Sequence, residues 1–183
     1  MKKTMLFCTM AILLCLVACN KKDEPQDINS QTLAKHWVGD STDVMFDVNG
    51  NVMTPDSFSN YLDDHKMIAS LVGEKYLPYI KSVSEVKITD LVLNRDYTYD
   101  LTVKNSKSTK NASGTWVEVN DVLTLNLNLK DVLDIEREGA MDFTVEKLTK
   151  NNIELSGKLE LLTADVSGIT AGAILTFTAH AAN

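Results

Sequence analysis

Residues 114–130, GTWVEVNDVLTLNLNLK, decide the fold. Leu123, Leu125, Leu127 and Leu129 alternate with Thr124, Asn126, Asn128 and Lys130, so one face of the segment is apolar and the other polar. That period of two is the mark of a half-buried antiparallel strand. Upstream, Asn120-Asp121 interrupts the pattern with two residues that accept the left-handed backbone a tight hairpin needs.

The same alternation runs outward in both directions. Tyr97, Tyr99, Leu101 and Val103 alternate with Thr98, Asp100, Thr102 and Lys104. Met141, Phe143 and Val145 repeat it, as do Ile153 and Leu155, Leu159 and Leu161, then Leu175, Phe177 and Ala179. A Lys/Ser/Asn loop over residues 105–111 and the reversal Lys150-Asn151-Asn152 separate these runs. Nearer the N-terminus, Asn49-Gly50 between Val44–Val48 and Asn51–Met53 predicts a two-residue hairpin. About eight strands joined mostly as hairpins predict a mainly β protein, either a closed antiparallel up-and-down barrel or a β-sandwich.

One segment breaks the pattern. Thr54 suits a helix N-cap, with Pro55 first inside it and Asp56 favoured by the helix dipole. Phe58, Tyr61, Leu62, Ile68, Leu71 and Val72 then recur at helical spacing, Gly73 fits the stop, and residues 74–81 suggest a further short turn. Such an insert is expected to plug a barrel end or pack outside it, a lid being the other reading.

Three stretches resemble the lipocalin-like (calycin-like) domains of lipid-anchored Bacteroidetes proteins. Leu33-Ala34-Lys35-His36-Trp37 looks like their opening, with Lys35 where that opening has Gly. Gly114-Thr115-Trp116 leading into Leu123-Thr124-Leu125 is similar to their Gly-x-Trp hairpin, and Phe143 to Leu155 is similar to their late hairpin. The resemblance implies a barrel rather than a sandwich and the possibility of a small-molecule cavity.

The N-terminus bears on location. Lys2 and Lys3 precede an apolar run from Met5 to Val17, and Leu16-Val17-Ala18-Cys19 resembles the lipobox of bacterial lipoproteins. The resemblance implies a signal peptide over residues 1–18, removed before Cys19, and acyl chains on Cys19. Two or three chains anchor a protein firmly, since each buried methylene contributes about 0.8 kcal/mol. Residues 19–31 then form the lipidated cysteine and a polar tether in which Ile28 is the lone aliphatic residue. Within it, Lys22-Asp23-Glu24 resembles the signal that sends such lipoproteins to the cell surface. Residues 32–183 make one domain. The expected location is the outer membrane, lipid-anchored, with the cell surface and the periplasmic face both open to it.

Composition narrows the chemistry. The chain carries 18 basic residues and 25 acidic ones, a formal charge of −7. Without Lys2 and Lys3 it is −9, and an acidic body with no basic stripe argues against nucleic acid. Cys8 and Cys15 fall in the signal peptide, so the mature chain has neither a disulfide nor a thiol nucleophile. His36, His65 and His180 lack metal-ligand spacing, and Asp63-Asp64-His65 reads as a solvated helix face. Asp47 to Asn51 has its glycine fourth rather than sixth, so it reads as a turn and not a calcium loop. Gly-x-Ser-x-Gly and phosphate-cradling motifs are absent; paired carboxylates stay open, because their separation is three-dimensional. Asp40-Ser41-Thr42 resembles a short O-glycosylation signal of envelope proteins. Seven aromatics outside the signal peptide and helical insert are too few for the two girdles of a membrane-spanning barrel.

The expected function is therefore non-enzymatic, without cofactor or metal. A barrel interior lined by Tyr97, Tyr99, Leu101, Leu123, Leu125, Phe143 and Phe177 would bind a small apolar or amphiphilic ligand. Alternatively those side chains fill a packed core, and the outer surface serves as an interaction module for a protein or glycan partner at the outer membrane.

Overall fold

The computed structural model describes residues 24–66, 69–70, 80, 82–133, 138–162 and 170–182. Residues 1–18, Cys19, Lys22-Asp23 and the expected helical positions Ile68, Leu71, Val72 and Gly73 lie outside the described residues, as do 74–79 and Lys81.

Among the described residues nine antiparallel strands form a single sheet: β1 (His36–Val48), β2 (Asn51–Met53), β3 (Lys87–Leu93), β4 (Thr98–Lys104), β5 (Thr109–Val119), β6 (Val122–Asn128), β7 (Glu138–Leu148), β8 (Asn152–Leu162) and β9 (Ala171–Ala181). Each strand from β3 to β9 pairs with the next, while β1 pairs with both β3 and β9. Eight strands therefore close into an up-and-down barrel, and β2 is an added edge beside the end of β1. The barrel reading holds and the sandwich is set aside.

The turns form where the sequence places them. Asn49 (φ 51°) and Gly50 (φ 85°) are both left-handed, as are Asn120 (φ 52°) and Asp121 (φ 65°), which matches two-residue hairpins. Gly50 N–H donates to Asp47 Oδ1 at 2.8 Å, so the would-be calcium loop is a turn. In the β4–β5 loop Asn105 Oδ1 accepts from the amides of Lys107 and Ser108, and β5 begins at Thr109, sooner than the loop predicted over residues 105–111. Likewise β6 ends at Asn128, whose side chain accepts from Lys130 N–H and starts the helical turn α3 (Leu129–Leu133). Leu129 therefore belongs to α3 rather than to the strand.

Alternate residues point inward and make one core. Leu123, Leu125, Phe143, Leu155, Leu175 and Phe177 are all buried, whereas Asp100, Lys104 and Asn126 on the opposite faces are exposed. An apolar inside and a polar outside reverse the arrangement of a barrel that spans a bilayer.

Two further helices close the ends. Trp37 Nε1–H donates at 2.9 Å to the carbonyl of Leu33 in α1 (Ser30–Leu33), and both side chains are fully buried. At the other end α2 (Pro55–Asp64) starts as predicted, with Thr54 Oγ1 accepting from Ser57 N–H. Its Phe58 ring stacks on Phe46 of β1 at 4.5 Å, and Leu62 joins the core. The helix packs onto β1 as a plug. It ends at Asp64, where Asp63 and Asp64 put two carboxylates at its negative end and His65 leaves helical geometry. Lys66, Ala69 and Ser70 are helical again, with Ala69 N–H donating to the His65 carbonyl at 2.9 Å, and the expected stop at Gly73 lies outside the described residues.

The tether differs from expectation. Pro25 bridges to Thr149, and Gln26 N–H donates to the Leu148 carbonyl at 2.8 Å. Asn29 caps α1 in a reciprocal capping box with Thr32. Ile28 packs against the core, so the one aliphatic residue of the segment docks it on the barrel.

Candidate functional site

The strands bring six of the seven expected lining residues into the interior. Tyr99, Leu101, Leu123, Leu125, Phe143 and Phe177 are each 5% exposed or less. Tyr97 is not among them. It precedes β4 in the turn, with φ at 63° and half its surface exposed. Alternation carried back through a turn placed it on the wrong side, because a left-handed residue resets the direction of the chain.

Packing inside the barrel is close at the α1 end. The Tyr99 hydroxyl donates to the Asn126 carbonyl at 3.0 Å, and Trp116 Nε1–H donates to the Asn94 carbonyl at 3.1 Å. Both Trp37 and Trp116 are buried, each with its one donor satisfied. Burial pushes the Tyr99 phenol up to about 12, with the Asp131 carboxylate adding to it.

Toward the α2 end lies a small, partly open void of about 30 Å³. Leu101 and Phe143 line it, together with Val86, Ile88, Val103, Leu127, Val132, Met141 and Leu175, and no polar surface faces it. A pocket of that size has room for roughly one water, and its lining offers no polar partner to hold one. The inward faces of β4, β6, β7 and β9 were legible in the sequence, whereas Val86, Ile88 of β3 and Val132 of α3 were not.

The polar candidates lie outside the barrel, and two of the histidines sit close together, since Asp90 of β3 and His180 of β9 both pair with Val38 of β1. His36 Nε2 is 3.0 Å from Asp90 Oδ1, and His180 Nδ1 is 2.7 Å from Asp40 Oδ1, both on the exposed outer face. His65 stacks on Tyr61 at the end of α2, far along the chain from either pair. Among the described residues no group of three or more His, Cys, Asp or Glu is placed to hold a metal ion. Ser41 is exposed on β1 with its hydroxyl 2.9 Å from that of Thr178, while Thr42 Oγ1 accepts from Ile88 N–H.

Compared with known proteins, the chain matches no family model, no curated protein and no solved structure.

Proposed function

We propose that this is a lipid-anchored envelope protein, held at the outer membrane through acylated Cys19, whose lipocalin-like barrel takes part of a small apolar or amphiphilic ligand without catalysis. One observation carries the reading: a closed barrel with a small, partly open pocket that is lined, among the described residues, by apolar side chains. Such a lining favours hydrocarbon over water. At about 30 Å³ the void accepts only the tip of a ligand, so entry requires Met141, the unbranched and adaptable member of the lining, to swing aside.

An environment-sensitive acyl probe added to the purified full chain tests this. Its emission should rise, and Met141→Ala, which enlarges the void, should tighten binding while Leu127→Phe weakens it. No response from either the wild type or Met141→Ala would contradict the reading. Anchoring has its own test: labelled palmitate should enter the wild type and not Cys19→Ser, which should leave the membrane fraction.

The size of the void favours a second reading. Among the described residues at least twelve large side chains are almost wholly buried, which is what a packed structural core looks like. In that case the barrel is a scaffold, and its outer surface meets a protein or glycan partner.

A further inference from the structure

The β3–β4 turn and α1 face each other across a surface cleft of about 320 Å³ lined by Ser30, Gln31, Arg95 and Tyr97. Small-molecule sites begin at about this volume. The turn is unusual in three ways. Tyr97 occupies the left-handed position that ends a three-residue hairpin loop, where glycine is the ordinary choice, and a bulky residue there is strained. Trp116 holds the turn at both ends: its backbone N–H donates to the Tyr97 carbonyl at 2.8 Å, and its indole N–H donates to the Asn94 carbonyl. Its ring also lies 5.3 Å from that of Tyr97. A strained residue so firmly held keeps an aromatic ring half exposed at the cleft.

The third feature is charge. Arg95 is one of only two arginines in an acidic chain, and among the described residues its guanidinium has no ion pair or hydrogen bond. Its neighbour Asp96 does not take it up, because the Asp96 carboxylate accepts from both the amide and the hydroxyl of Thr98 within the turn. The Ser30 hydroxyl, the Gln31 amide and the Tyr97 phenol are likewise without protein partners among the described residues. A planar guanidinium suits a carboxylate, which it meets with two parallel bonds. A single cation in a chain of formal charge −7 suits a monoanion better than a phosphate dianion. Hydroxyl and amide groups suit sugar hydroxyls, and an aromatic face suits the flank of a sugar ring.

We infer that this cleft binds a sugar acid, with Arg95 on the carboxylate, Ser30 and Gln31 on ring hydroxyls, and Tyr97 beneath the ring. This site is separate from the barrel interior and does not depend on it. Calorimetric titration of the purified full chain with digalacturonate, and with its neutral methyl ester, is the test. The acid should bind, and both esterification and Arg95→Gln should weaken binding by more than about tenfold, as loss of a charged hydrogen bond does. Tyr97→Gly relieves the left-handed strain, so it should melt no lower than wild type and still lose the sugar. No binding of the acid, equal binding of acid and ester, an unaffected Arg95→Gln, or inorganic phosphate competing as well as the sugar acid would each overturn the assignment.

Discussion

Gly157 faces inward on β8, beside the ring of Phe143. A Cβ built there would stand 2.7 Å from that ring and 3.1 Å from the Asp142 carbonyl, so the ring occupies the space a side chain would need. Gly157→Val should therefore cost about 1–3 kcal/mol by overpacking, read as a lower urea midpoint at an unchanged slope. Tyr99 makes a prediction in pH. Its phenol ordinarily titrates near 10.0 and in the fold at about 12. A raised value favours the protonated form in the folded state, so its contribution is complete below the unfolded value and is lost as pH rises towards the folded one. The stability lead of the wild type over Tyr99→Phe should start near 1 kcal/mol from the hydroxyl's bond to Asn126 and shrink between those two pH values. A lead that stays constant through that window, measured by denaturation at each pH, would contradict the assignment.

Among the elements, α2 is joined to the barrel chiefly through the stacked pair Phe58 and Phe46. Phe58→Ala should cost about 3–5 kcal/mol, and Thr54→Ala, which removes only the cap, about 1 kcal/mol. Chemical denaturation of both variants checks the ratio; equal losses would mean that the helix contributes its ends and not its apolar face. The start of this helix was legible because Thr54 and Pro55 act locally. Its break at His65 was not, since the apolar spacing continues past two carboxylates that favour stopping. Hairpins at Asn49-Gly50 and Asn120-Asp121 were legible for the same local reason. The register shifts at Gly39/Ser41, Ile88/Asp90, Val145/Lys147 and Glu160/Leu162 had no such signal. Bulges of this kind answer to barrel closure, a property of strands far apart in sequence. The docking of Ile28 is similar: one aliphatic residue in a polar segment gives no periodicity to read.

At the scale of the whole molecule, alternation fixed which faces of the strands turn inward, and so it found six of the lining side chains. What it could not supply was the far wall of the void. Val86, Val132 and Leu175 meet Leu101 and Phe143 only because β1 closes on both β3 and β9. The same limit applies to the cleft at the opposite end, where α1 and the β3–β4 turn are brought together by the fold and Tyr97 was read as an interior residue. A barrel that is apolar within and acidic without can serve as a ligand carrier or as a scaffold, and the contents of the interior separate the two. Native mass spectrometry of the full chain, isolated from its own host under gentle conditions, weighs those contents directly. The ligand-binding account predicts a second species heavier by one non-covalent, lipid-sized molecule, retained by the wild type and depleted in Leu127→Phe. A single species at the mass of the protein alone would contradict it.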